Sequence, residues 1–260
     1  MLRNWLSILL FVCTSMAAPA SVQTKTIEYK VGDITCKGYL AYDDSLMGKR
    51  PGVLVVHEWW GLDAFAKQKA EQLAKCGYVA FAVDMYGEGQ FTDKPQQAGQ
   101  WAGAIKKDRK LMVERAKAGW EMLCRQSQVD PDQTAAIGFC FGGTTVLEMA
   151  RAGVPLKGVV SFHGDLVTPS PARAGFLKAK VLVLHGAEDP FVTPEHVKQF
   201  IQEMRDANAD WQVVQYGGAV HSFTNPHVDR HNIDGAKYHA IADQRSFKAM
   251  QQFFNELFSR

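Results

Sequence analysis

The chain has 260 residues, 47% of them hydrophobic and 22% charged, an ordinary globular composition long enough to bury a sizeable core. Twenty-nine Lys and Arg against 27 Asp and Glu leave a net charge of +2 without a dense basic run, so there is no electrostatic footprint for a polyanion. Nucleic acid is therefore not expected as a partner.

In chain order, residues 1–20 read as a secretory signal peptide, removed at maturation. Arg3 supplies the positive start, Trp5 to Val12 the apolar run, and Ala18-Pro19-Ala20 the small-residue cleavage pattern before Ser21. The run is too short to span a bilayer, so no stable membrane insertion is expected once it is gone, and the expected location is periplasmic or secreted. A lipoprotein signal with Cys13 as the lipidated residue ranks second, because Val12 is bulky for such a site. Residues 21–260 read as a single domain, with no repeat, low-complexity tract or linker. The mature chain keeps Cys36, Cys76, Cys124 and Cys140 without CxxC spacing, so neither a zinc site nor a thioredoxin-like pair is indicated, and pairing among the first three stays open.

Thr26 to Tyr29 and Cys36 to Tyr42 alternate as an antiparallel opening. A buried-type strand follows at Val53 to His57, then a helix from about Phe65 to Lys75, a strand at Val79 to Val83, and a long polar loop with Gly87 and Gly89. Helix Arg109 to Ser127, strand Thr134 to Phe139 and helix Gly142 to Arg151 come next. Strands Val159 to Phe162 and Val181 to Leu184, helix Pro194 to Ala207, strand Gln212 to Tyr216 and a last helix from about Tyr238 to Phe258 complete the pattern. Such alternation predicts an α/β fold with a mostly parallel sheet covered on both faces, and chemistry at the carboxyl ends of its strands.

The stretch "GFCFGG" at 138–143 joins a strand to a helix, the context a nucleophile turn requires. Gly138 and Gly142 let the backbone pass close to itself, and Gly143 allows the helix to pack tightly on the sheet. Cys140 then sits at a helix amino terminus, whose free N–H groups and dipole favour an anion. A thiol nucleophile needs a base, and the base an orienting group. Asp189 in "LHGAEDPFV" and His221 in "GGAVHSF" fall just beyond two later strands. Taken singly, Cys140 could be packing, Asp189 a turn residue before Pro190 and His221 a loop histidine. Together, at three strand ends in the order nucleophile, acid, histidine, they match the α/β-hydrolase arrangement.

The segments "HEWWGL", "FAVDMYG", "GFCFGG", "HGAEDP" and "VHSFTNP", spread over nearly the whole mature chain, resemble the dienelactone hydrolase family. The resemblance implies an α/β-hydrolase fold, Cys140 as nucleophile with Asp189 and His221, and an oxyanion hole from the N–H groups of Phe141 and Trp59. It also implies that Glu58 contacts the thiol. A carboxylate there would repel a thiolate and keep the sulfur protonated until substrate displaces it; the alternative is a helix cap or a surface ion pair. A quiet thiol would also resist oxidation outside the cytoplasm.

Family members acting on dienelactones hold the substrate carboxylate with two arginines. Here Tyr86 is followed by Gly87, Glu88 and Gly89, and His221 by Ser222 to Asn225; Arg230 lies too far along to be equated, and Glu88 would repel an anion. A neutral or aromatic ester or lactone is expected instead, against a wall of Trp59, Trp60, Tyr86, Phe191, Ser222 and Phe223 with His163 as a further polar member. His227, Asp229 and His231 read as a solvated loop rather than a metal site, Asp84 as a structural strand-end residue, and His57 and His185 as hydrogen-bonded framework. The expected activity is ester or lactone hydrolysis through an acyl-cysteine, without a cofactor and with oligomeric state open. The alternatives are a small-molecule-binding protein on the same fold, and a thiol-redox protein using Cys140.

Overall fold

The computed structural model describes residues 21–258; the expected leader, with Cys13, lies outside them. Strands β1 (Val22–Val31) and β2 (Ile34–Asp43) form an antiparallel hairpin whose two-residue turn uses Gly32 at a left-handed φ of 57°. After them come β3 (Arg50–Val56), α1 (Ala64–Lys75), β4 (Val79–Val83), α2 (Pro95–Lys107), α3 (Arg109–Cys124), β5 (Val129–Phe139) and α4 (Phe141–Arg151). Then follow β6 (Gly158–Phe162), β7 (Lys180–Gly186), α5 (Pro194–Asp206), β8 (Trp211–Tyr216), a short 3₁₀ turn at Val228–His231 and α6 (Ala240–Phe258). The eight strands lie in the order β1-β2-β4-β3-β5-β6-β7-β8. β2 runs antiparallel to β1 and β4, and β4 through β8 are parallel, as the α/β-hydrolase fold requires.

The central strands are apolar on both faces because both are covered. On β3, Leu54 and Val56 join Met112, Leu123 and Val146 from α3 and α4, whereas Val53 and Val55 face Phe65 and Leu73 of α1 and Phe253 and Phe254 of α6. Full burial of side chains of this size stabilises by about 1.5–3 kcal/mol each. Two helix starts are fixed by carboxylates: Asp63 Oδ1 accepts from Ala66 N–H at 3.1 Å, and Asp108 Oδ1 from Leu111 N–H at 2.9 Å.

The structure differs from the sequence expectation in three places. β1 and β2 extend further because hairpin residues pair regardless of apolar content, and β5 because Val129 and Asp130 pair with Arg50 and Pro51 at the start of β3. The long polar loop contains α2, whose glutamines and glycines dilute the apolar period; its signal is Pro95 at the first turn and Ala98, Ala102 and Ile105 on one buried face. The 3₁₀ turn at Val228–His231 was not expected either.

The sheet delivers five loops to one end: β3 leads to Glu58 and Trp59, β5 to Cys140, β6 to His163, β7 to Asp189 and β8 to His221. The tightest is the turn at Cys140, which holds φ 52° and ψ −112° between strand and helix. A methyl on Gly138 would collide with the Gly142 carbonyl, and one on Gly142 with the carbonyl oxygen of Val56 at the end of β3. The obstacle is backbone, which cannot move aside cheaply. Gly142→Ala is therefore expected to lower stability by about 2–4 kcal/mol or prevent folding, read as the urea midpoint of unfolding. An unchanged midpoint would contradict this packing.

Candidate active site

Cys140, Asp189 and His221 converge on one side of a cavity of about 330 Å³, which Cys140 and His221 line together with Trp59, Trp60, Phe191 and Ser222. His221 Nδ1 lies 2.8 Å from Asp189 Oδ2. A carboxylate only accepts, so Nδ1 carries the proton and Nε2 is left as the basic nitrogen. The other Asp189 oxygen accepts from the N–H groups of Phe191 at 2.9 Å and Val192 at 3.3 Å. Asp189 thus shapes the turn around Pro190 and also orients the imidazole.

The electrostatics of the ring tie it to the sulfur. Burial alone would lower the His221 pKa, but its interactions with Cys140 and the hydrogen bond and charge of Asp189 outweigh it and push the ring up to about 10. Phe191, half exposed, stands edge-on to the ring at 5.2 Å and shields it from solvent.

Trp59 N–H and Phe141 N–H donate no hydrogen bond among the described residues. Phe141 is the first helical residue, where an amide proton has no partner within the helix. Gly142 packs against the carbonyl groups of Val56 and His57, so the start of α4 that carries Phe141 lies against the end of β3 that leads to Trp59. Two free donors beside a nucleophile can hold a developing oxyanion. The Trp59 loop is braced from behind. Tyr86 Oη donates to Trp59 O at 2.9 Å, and His57, fully buried, bonds Glu58 O through Nδ1 and accepts from Met85 N–H through Nε2 at 3.3 Å. Burial lowers the His57 pKa to about 4, so this strut stays neutral.

Glu58 is 1% exposed and has neither of the ordinary roles weighed for it. Its oxygens accept from Ser222 Oγ at 2.9 Å and Asn225 Nδ2 at 2.6 Å, and it makes no hydrogen bond to Cys140 among the described residues. The contact with the thiol expected from the resemblance is thus replaced by neutral donors on the histidine's own loop. Asn225 was not singled out in the sequence, although it follows His221 within the same motif.

The cavity wall differs from expectation. Trp59, Trp60, Phe191 and Ser222 line it, whereas Tyr86, His163 and Phe223 do not. Tyr86 packs beneath the Trp59 loop against His57 and Phe141, and burial keeps its hydroxyl protonated. Phe223 is fully buried against Tyr216 and His163, and His163 is fully buried as well. Val192, Val228, Ile233 and Ala236 add apolar wall, and Lys106 and Asp165 supply one charge of each sign. Lys106 was missed because the helix that presents it, α2, was read as loop. Glu88 lies elsewhere, paired with Lys37 at 3.0 Å, and Arg230 is exposed beside His231.

The remaining candidates have structural partners. Asp84 is buried and accepts from the N–H groups of Lys37, Tyr86, Gly87 and Gly89 at 2.7–3.1 Å. His185, expected as hydrogen-bonded framework, is buried and bonds the Val192 backbone, with only its Nδ1 unpartnered among the described residues. His231 stacks on Trp60, and Asp229 accepts from Tyr238 N–H at 3.0 Å. All four described cysteines are free thiols.

Burial raises the Glu58 pKa from 4.5 to about 7, with the Asn225 and Ser222 hydrogen bonds and the positive His221 pulling the other way. The folded chain therefore holds this proton at pH values where the unfolded chain has released it. Stability is retained below pH 4.5 and lost as pH rises through about 7. Glu58→Gln removes that loss: relative to the parent, it should gain on the order of 2–3 kcal/mol in urea unfolding between about pH 4.5 and about pH 8. Parallel pH profiles for parent and variant would contradict it.

Comparison with known proteins agrees with this architecture. The sequence profile of the dienelactone hydrolase family matches residues 36–258. A solved dienelactone hydrolase-like promiscuous phosphotriesterase from metagenomic libraries is 41% identical, covering 92% of this chain and 99% of its own, with a TM-score of 0.89. A Yersinia pestis protein with a provisional carboxymethylenebutenolidase name is 30% identical over 231 residues, 84% of this chain and 82% of its own. "Protein usf" of Aquifex pyrophilus is 29% identical over 204 residues, 76% of this chain and 86% of its own.

Proposed function

The chain belongs to the dienelactone hydrolase family of ester and lactone hydrolases, and from that premise we propose that it works through an acyl-cysteine formed at Cys140. Cys140 sulfur attacks the carbonyl carbon as a thiolate, its proton having passed to His221 Nε2. Asp189 holds the imidazolium by Nδ1–H, and the N–H groups of Trp59 and Phe141 stabilise the oxyanion. The tetrahedral adduct collapses, and the departing alkoxide takes the proton from His221. Water, deprotonated by the same nitrogen, then cleaves the thioester, and the acid leaves with the thiol restored. The observation that carries this reading is the 2.8 Å bond that fixes the His221 tautomer beside Cys140.

The substrate we propose is a neutral ester or lactone with an apolar or aromatic body. Trp59, Trp60, Phe191 and Ile233 dominate the wall, and the formal charges of Lys106 and Asp165 cancel. The 41% identity to a promiscuous phosphotriesterase makes a phosphotriester a second class to test, since attack at phosphorus uses the same nucleophile and oxyanion donors. Glu58, when ionised, disfavours the thiolate by like charge and keeps the resting thiol quiet, now from the histidine side rather than by direct contact. The site of action follows from the leader reading and is proposed as outside the cytoplasm.

One kinetic panel tests these roles. With p-nitrophenyl esters and simple lactones, Cys140→Ala should lose at least ~1,000-fold in kcat/KM, and Cys140→Ser should fall between it and the parent. In the same panel, Glu58→Gln should speed alkylation of Cys140 by iodoacetamide near neutral pH. Turnover surviving in Cys140→Ala would remove the mechanism; an unchanged alkylation rate would remove the role of Glu58.

A further inference from the structure

His163 ends β6 at a left-handed φ of 41°, a strained conformation for a residue with a side chain, and it is fully buried behind the cavity. Its ring nitrogens face two different loops. Cys140 N–H, which donates to the Phe162 carbonyl at 3.0 Å, is shared with Nδ1 at 3.1 Å, and Thr224 Oγ1 lies 2.8 Å from Nε2. An amide N–H can only donate, so Nδ1 is bare and the ring proton sits on Nε2, donating to Thr224. Thr224, itself fully buried, belongs to the loop that carries His221, and its neighbour Asn225 holds Glu58. The same ring stands edge-on to His221 at 5.3 Å.

We propose that His163 is a positioning residue, a neutral strut that sets the spacing between the Cys140 turn and the His221 loop. The inference rests on the acyl-cysteine reading above. Each of the two loops it connects also holds a left-handed residue, Cys140 at φ 52° and Ser222, two residues before Thr224, at φ 54°. Strained turns keep their shape only when their surroundings hold them, and a buried ring bonded at both ends does so. Burial, reinforced by the positive charges that His221, Lys69 and His185 can carry, lowers the His163 pKa well below its usual range. The ring therefore stays neutral while His221 gains and loses its proton. A charged ring would turn an N–H against the Cys140 N–H and break the strut.

Three variants, measured with Cys140→Ala alongside, test this on p-nitrophenyl acetate. Active thiol is counted on gel-filtered folded protein by iodoacetamide labelling mapped to the Cys140 peptide, so that neither unfolded protein nor the exposed Cys76 is scored. His163→Phe and Thr224→Val should lower kcat per active thiol on the order of 10- to 100-fold, with KM changed by less than about 2-fold. His163→Asn, whose Oδ1 can still accept from Cys140 N–H, should recover part of the loss. Thr224→Val keeps the ring and changes little volume, so it reports even where His163→Phe fails to fold. Parent kcat per active thiol in Thr224→Val, with Cys140→Ala inactive, would overturn the strut alone. An active Cys140→Ala would overturn the strut together with the triad reading.

Discussion

The site depends on a backbone constraint, the reversal of direction at Cys140 between β5 and α4. A side-chain-bearing residue at φ 52° costs on the order of 1–3 kcal/mol, and the turn closes only because Gly138 and Gly142 carry no Cβ where carbonyl groups approach. That one compression places the sulfur at the tip of the turn, leaves Phe141 N–H without a helical partner and presses the start of α4 against the end of β3. The proposed nucleophile and one candidate oxyanion donor, Phe141 N–H, thus follow from the same local geometry.

Around that turn the structure separates its buried titratable groups by charge state. His221 is drawn positive by Asp189 and the Cys140 sulfur, while His57 and His163 are held neutral by burial and use both ring nitrogens as struts. Glu58 is pushed toward neutrality and satisfied by uncharged donors, Ser222 and Asn225. In the proposed mechanism, a proton moving between sulfur and His221 therefore meets no added positive charge from His57 or His163. The arrangement suits a reaction whose charge shuttles over a short distance and returns.

Much of this was legible in the sequence because it depends on periodicity and strand ends. The glycine spacing around Cys140, and an acid and a histidine after two later strands, fix position along the chain, and in a parallel sheet position along the chain fixes which end of the sheet a residue reaches. Side-chain direction was not legible. His163 and Phe223 lie in loops at the mouth, but the left-handed backbone at His163 and Ser222 turns both rings inward, which no pattern of residue types announces. Lys106 was hidden by the glutamines and glycines of α2, and Asn225 by the absence of an arginine where one was sought.

The most direct test of the central claim is the mass of the enzyme itself, acid-quenched during steady turnover of a slow ester and mapped by peptide. The account predicts one acyl group, carried on the peptide containing Cys140 and lost as substrate is exhausted. Continued hydrolysis with no adduct, or with the acyl group on another residue, would contradict it.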